Sequence, residues 1–267
     1  MSSERIYSFS QINTFMLCPE RYKFSYIEKI YQKNESIEAF MGNRIHEVLD
    51  WVFTERQNKF TTFDKLVEKF DELWFNSWHE KIFIADPRIN ANHIYTIGLR
   101  CLGNFCNMYG PMFNNPTVGT EIKLNFEIEN YKFRGVIDRL DKTKDNTLIV
   151  TDYKTSKKAK GSIAAKSDLQ LGLYHLAIHQ NFSTENKVLI GWNFLRQNKK
   201  VYHEHNEKSL KKIKAKVVRT VKEIEETIIG KQIFLPKESI LCHWCYFWDK
   251  CSVKDSINPA RLAKLDN

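Results

Sequence analysis

The sequence predicts a mixed α/β protein: a helical first hundred residues, a mixed sheet core and a cysteine-rich tail. Three observations carry this reading. Phe40, Ile45, Val48, Leu49 and Val52 recur at helical spacing, one apolar face of a 3.6-residue repeat. In EIKLNFEIEN, Ile122, Leu124, Phe126 and Ile128 alternate strictly, as on a strand with one buried face. Three strand-like segments then follow one another before a helix intervenes, an order that argues against an alternating parallel barrel.

The elements follow in turn. Residues 8–30 read as a short helix capped by Ser10, a break at Cys18-Pro19 and an aromatic-rich stretch, because Ser accepts from the first free N–H groups and Pro stops a helix. Helical periodicity then spans about 39–57, 63–81 and 94–108, with ADPRIN around Pro87 as a loop. Strands are expected at 121–128, at 131–143 after a turn at Glu129-Asn130, and at 147–155 after a turn at 144–146. A helix over 167–179, strands at 187–196 and 199–206, and a last helix over 208–229 complete the series. The organisation is one domain over 1–267: a helical region (1–114), a core (115–206), and a helix with the tail (207–267).

The bulk numbers narrow the class. Mean hydropathy is -0.47 and no apolar run approaches the ~20 residues that span a bilayer. MSSERIYSFSQ carries no apolar leader, so a cytoplasmic, reducing location is expected. A net charge of +9 favours a polyanionic partner, since each cation set on a phosphate releases a counterion. No G-x-x-x-x-G-K-[ST] phosphate loop is present, which argues against a built-in ATP motor.

Chemistry concentrates in GVIDRLDKTKDNTLIVTDYKT. Asp152 and Lys154 are two apart on one strand and share a face, and the turn before that strand lets it pair with the strand bearing Asp138. Two converging carboxylates suit Mg²⁺ or Mn²⁺, and a lysine beside them can orient an attacking water. The alternative is an ordinary solvated Asp/Lys pair. Against it, Asp152 follows Leu148, Ile149 and Val150, and burying charge there is costly without a partner.

This stretch resembles the signature of the PD-(D/E)XK nucleases, an acidic residue in a G-x-x-D strand followed by D-x-K in the next. The resemblance extends to the RecB-like branch through GNRIHEVLD, with His46, and LQLGLYHLA, with Gln170 and Tyr174 in Q-x-x-x-Y spacing. It implies a restriction-endonuclease-like α/β core. It also implies that Asp138, Asp152, the Tyr153 carbonyl and His46 hold a divalent metal, and that Lys154 positions water. Gln170 and Tyr174 are expected to face the site or a bound strand. Glu121 matches an acidic position of relatives loosely and reads more readily as a surface carboxylate.

Six cysteines in an intracellular chain argue against a disulfide framework. Cys101 and Cys106 lie in an apolar stretch and read as small core residues. Cys242-x2-Cys245-x5-Cys251 and the lone Cys18 could be a zinc site, a redox pair or inert. CPERYKF and CHWCYFWDKC are similar to segments of AddB-like and CRISPR-associated RecB-type nucleases. That similarity implies a [4Fe–4S] cluster, with zinc at the four cysteines as the alternative, where His243 could also replace a thiolate. Trp244, Tyr246, Phe247 and Trp248 would shield it.

Lys157 and Lys158, with Lys160 nearby, follow the catalytic strand and are expected to meet DNA phosphates. KSLKKIKAKVVR on the last helix reads equally as a solvated face. The expected activity is metal-dependent hydrolysis of DNA, exonucleolytic on single-stranded or frayed ends, in repair, recombination or phage DNA processing, with a helicase or integrase in trans as a plausible partner. The alternatives are a spacer-processing nuclease of CRISPR adaptation and a catalytically silent DNA-end-binding scaffold.

Overall fold

The computed structural model describes residues 5–31, 33–182, 187–254 and 256–265. The residues 1–4 that open the chain, on which part of the leader reading rests, fall outside this set. Strand β1 (Ile6–Tyr7) leads into helix α1 (Phe9–Leu17) and, after an extended Cys18, into α2 (Pro19–Tyr22) and a π-turn over Lys23–Ile27. Strand β2 (Glu35–Ser36) precedes the long helix α3 (Ile37–Glu55), then come α4 (Phe63–Ser77), β3 (Ile82–Ile84) and α5 (Ala91–Tyr109). The hairpin β4 (Thr117–Ile128) and β5 (Tyr131–Lys142) runs into β6 (Leu148–Lys154). A short α6 (Ser162–Ala165), helix α7 (Leu169–Asn181), β7 (Val188–Phe194), β8 (Lys199–His203), α8 (Glu207–Ile229) and β9 (Arg261–Leu262) follow.

The fold is mixed α/β, as the sequence predicts. The main sheet has the path β1-β5-β6-β7-β8, with β4 on the other side of β5. Pairing is antiparallel for β4–β5, β5–β6 and β7–β8 and parallel for β6–β7. The parallel pair arises because α7 carries the chain back across the sheet between β6 and β7. Alternation sorts the side chains onto two faces. Leu148 and Val150 join Leu171, Ile178, Val217 and Val221 under α7 and α8, whereas Tyr153 packs with Phe40, Ile45, Phe70 and Phe105 of α3, α4 and α5.

Three details depart from expectation. The cap of α1 is Ser8, whose hydroxyl accepts from the Gln11 N–H at 3.3 Å, and not Ser10. The helix expected over 63–81 ends at Ser77, and residues 78–81 leave it as coil and turn leading into β3, where Lys81 O accepts from Glu35 N and Ile82 pairs with Glu35. Strands β2, β3 and β9 thus make a small second sheet. Their two- and three-residue lengths leave no alternation to read.

Candidate active site

Strand register makes the first part of the site. The β5–β6 ladder runs from Lys142–Leu148 to Arg139–Thr151, so one step further sets Asp138 across from Asp152. The β4–β5 ladder passes through Thr120–Arg139 and Ile122–Ile137, so Glu121 sits across from Asp138 on the other side. Glu121 has a left-handed backbone, φ 47°, a conformation that costs a non-glycine residue roughly 1–3 kcal/mol and is common at functional sites. Helix α3 closes the site. Its apolar stripe turns Ile45, Val48 and Leu49 inward, which leaves Asn43, His46, Glu47 and Asp50 along an open cleft of about 790 Å³ shared with Glu121, Asp138, Tyr153 and Lys154.

The donors are close. One ligand atom from each of His46, Glu121 and Asp138 lies within 4.8 Å of the others. His46 Nδ1 is 3.6 Å from Asp138 Oδ2 and its Nε2 is 3.2 Å from the Tyr153 carbonyl oxygen. Asp138 Oδ2 also accepts from Tyr153 N at 2.7 Å. Asp152 is nearly fully buried and ion-paired to Lys154 Nζ at 2.5 Å. Lys154 Nζ in turn donates to Gln170 Oε1 at 3.1 Å, and Gln170 Nε2 donates to Tyr174 Oη at 2.9 Å. The helix spacing of Gln170 and Tyr174 therefore serves Lys154, and Tyr174 is buried.

Electrostatics follow from crowding charge into a partly dry place. Burial and the neighbouring Asp152 push the Asp138 carboxyl up to about 8. Burial also raises Asp152, against the pull of Lys154, and burial with Asp138 raises Glu121. Burial holds His46 below the usual imidazole value, so it stays neutral, the form that ligates metal. Lys154 is raised: burial opposes its charge, but Asp152 outweighs it. An excess of anionic oxygen donors with one neutral imidazole is the donor chemistry of a hard divalent cation. These residues fit one.

Several sequence expectations are placed differently. Glu121 is exposed but turned to the donor cluster, rather than away as a plain surface carboxylate. The signal for it lay in the strand register, which needs the partner strand. Asn43, Glu47 and Asp50 also line the cleft, unannounced by any motif; the three- and four-residue spacings of Asn43 and Asp50 from His46 are the signal that could have found those two. Lys157 and Lys158 are exposed on the loop after β6, beyond the lining residue Ser156. Lys160 pairs with Asp168 at 3.0 Å.

The cysteines form a second cluster. Cys18, Cys242, Cys245 and Cys251 line one cavity of about 50 Å³ with Trp248, Arg21, Lys237 and Lys254. Lys237 N donates to Cys18 Sγ at 3.5 Å and Ser239 N to Cys242 Sγ at 3.4 Å, while Cys251 Sγ donates to buried Glu20 at 3.1 Å. Burial raises the Cys251 thiol to about 11. Four thiols around one small cavity, with three cations nearby, fit a tetrathiolate metal centre. Of the aromatic residues expected to shield it, Trp248 lines the cavity; Phe247 packs on Phe24 and Tyr246 on Phe83. His243 lies tilted against Trp248, ring centroids 5.9 Å apart, and is not in the lining. Among the described residues, no helix is long and apolar enough to cross a membrane.

The chain is similar to the Gene 69 protein of Mycobacterium phage D29, with 27% identity over 197 residues, 67% of this chain and 70% of that one. In three dimensions it is similar to a Eubacterium rectale protein whose exonuclease assignment is itself provisional. That likeness has a TM-score of 0.56 and 11% identity and covers 95% of this chain and 91% of the other, which bears on fold alone. The family model of the PD-(D/E)XK nuclease superfamily matches residues 6–252, a span holding both clusters, and the chain therefore belongs to that superfamily.

Proposed function

We propose that this protein is a metal-dependent deoxyribonuclease of the RecB-like branch that hydrolyses phosphodiester bonds at single-stranded or frayed DNA ends. The observation that carries the proposal is the open cleft shared by Asp138, Lys154, His46 and Glu121, with Asp152 buried and ion-paired to Lys154. In this reading Asp138, Asp152, His46 and the Tyr153 carbonyl hold Mg²⁺ or Mn²⁺, and Glu121 joins them. When bound, the ion supplies Lewis acidity to the scissile phosphate and acidifies a water.

The chain's own residues do the rest. Lys154 Nζ, fixed between Asp152 and Gln170, orients the attacking water and offsets charge on the phosphoryl oxygen. Gln170 and Tyr174 act as positioning residues for Lys154 rather than as DNA contacts. Arg44, at the cleft edge and bound to Glu47, and the exposed Lys157 and Lys158 are the cations available to the strand backbone. In the tail, Cys18, Cys242, Cys245 and Cys251 hold an iron–sulfur cluster that joins the chain's first helix to its last segment. The absence of His243 from the cavity lining supports thiolate ligation. The intact carboxylate–lysine set weighs against a silent scaffold; a helicase or integrase partner is compatible with it.

Cleavage of end-labelled single-stranded and duplex DNA by anaerobically purified protein tests this, with Mg²⁺, Mn²⁺ or EDTA. Cutting that needs metal and disappears in Asp152→Ala is expected. A protein that binds DNA but never cuts it under either metal overturns the enzyme reading.

A further inference from the structure

The long helix α8 carries its charge the wrong way round. Residues 207–219 hold six cations against one acid, and residues 220–229 hold three acids against one cation. The helix dipole stabilises the opposite order, with acids at the N-terminal end and cations at the C-terminal end. Lys208, Lys212 and Lys216 are also spaced four apart, so like charges stand over one another on one face, which is again unfavourable. Helix stability alone gives no reason for this arrangement.

Nor do the three lysines simply face bulk solvent. They line an open groove of about 400 Å³, together with Lys166 and Ser167 from the segment ahead of α7. Among the described residues no carboxylate lines this groove, and no ion pair neutralises any of the four lysines. The acids close by in sequence are engaged elsewhere. Asp168 holds Lys160 at 3.0 Å and caps α7, and Glu204 holds Lys187 at 3.3 Å.

The groove adjoins the cleft. Leu169 lines it, and the next residue, Gln170, accepts from Lys154 Nζ at 3.1 Å, so only the first turn of α7 separates the two. Successive lysines of the row stand about 6 Å apart along the helix axis. A chain of phosphates can follow such a row, whereas a single small anion cannot. An acidic peptide also carries repeated charge, but the groove continues from a cleft suited to phosphodiesters, and that favours nucleic acid.

We propose that Lys166, Lys208, Lys212 and Lys216 bind the sugar–phosphate backbone of the DNA strand that runs on beyond the cleft. The identity of the strand rests on the nuclease reading above; the groove and its charge do not. Each contact releases a counterion and none reads sequence. The groove therefore holds the DNA in place over the first turn of α7 while its end is cut, and takes no part in the cleavage chemistry. Bound phosphates also offset the repulsion along the row.

Equilibrium binding of labelled single-stranded DNA to the full chain, in EDTA to suppress cutting, tests this. The groove variant Lys208→Gln/Lys212→Gln/Lys216→Gln is compared with Lys211→Gln/Lys214→Gln/Lys222→Gln, which removes the same charge from exposed positions of the same helix outside the groove. On a strand of about 30 nucleotides the groove variant is expected to lose at least about tenfold in affinity. It should also lose about 2 from the slope of log Kd against log salt, at ~0.7 per phosphate contact on a single strand. The control variant should lose less than about threefold and keep most of its slope. Without DNA the groove variant should melt no lower than wild type, and Lys212→Gln alone should give about a third of the slope change. Equal affinities and slopes in the two triple variants overturn the proposal. So does displacement of the DNA by polyglutamate as readily as by unlabelled DNA of equal charge, which assigns the groove to an acidic protein. Metal-dependent cutting by wild type is read separately. A protein that cuts without a groove effect loses this inference alone, and one that binds through the groove but never cuts loses the enzyme reading alone.

Discussion

Asp138 meets two opposed demands. Register places it between Glu121 and Asp152, where a cation can be held, and burial there makes its own ionisation costly. With the folded carboxyl at about 8, against an ordinary value of 3.8, the folded protein holds this proton more tightly than the unfolded chain. Its contribution to stability is therefore full below about pH 4 and is lost as pH rises through 8. In EDTA at pH 8, Asp138→Asn is expected to melt a few degrees above wild type, with the difference vanishing towards pH 4, while cleavage is abolished. Differential scanning calorimetry across that pH range checks this. Residues at this scale were legible when a motif named them: His46, Asp138, Asp152, Lys154, Gln170 and Tyr174 all gather at the site or behind it. Glu121 was not, because its place depends on which strand pairs with β5 and on a left-handed backbone that the sequence does not announce.

Among the elements, long periodic segments were readable and short ones were not. Helices α3, α5 and α8 and the strands β4 to β8 fall where apolar periodicity puts them. Strands β1, β2, β3 and β9 owe their existence to partners distant in sequence, so local pattern is silent on them. The β7–β8 pair shows how tightly packing constrains the catalytic sheet. A Cβ at Gly191 would stand 2.1 Å from the Val201 carbonyl oxygen and 2.7 Å from the Tyr202 Cα, both backbone atoms that cannot rotate away. Gly191→Ala is expected to destabilise the protein by roughly 3 kcal/mol, since overpacking at rigid contacts moves strands. Urea unfolding measures it. Because Gly191 lies beside Trp192, the partner of Asp152 in the β6–β7 ladder, cleavage should fall as well.

At the scale of the whole molecule, two cores share one sheet, and the chain's beginning and end meet at the cysteines. Phe15 and Tyr22 pack on Phe234, and Glu20 accepts from Ser252 N and Cys251, so the tail is docked by contacts before any ligand is considered. The local pattern of CHWCYFWDKC left a zinc site, a redox pair and inert cysteines open, and both the metal centre and its convergence with Cys18 across more than two hundred residues came from resemblance. A bound cluster adds a cross-link over most of the chain, and its binding energy becomes folding energy. Cys18→Ser is expected to bleach the absorption near ~400 nm that thiolate-bound iron–sulfur centres give, and to lower the melting temperature as much as Cys251→Ser. Equal stability in wild type and Cys18→Ser, both colourless, would remove the cluster from the account and leave the cleft untouched.

The most direct test of the central claim is single-turnover cleavage of end-labelled single-stranded DNA by wild type and Lys154→Ala in Mn²⁺, with DNA affinity measured on the same samples. The Lys154 ammonium is held by Asp152 and Gln170, both beside the cleft. The account predicts metal-dependent cutting by wild type and a loss of about 10²- to 10⁴-fold in Lys154→Ala, with DNA binding within a factor of three. Cutting by Lys154→Ala at the wild-type rate, or no cutting by wild type in either Mg²⁺ or Mn²⁺, would contradict it.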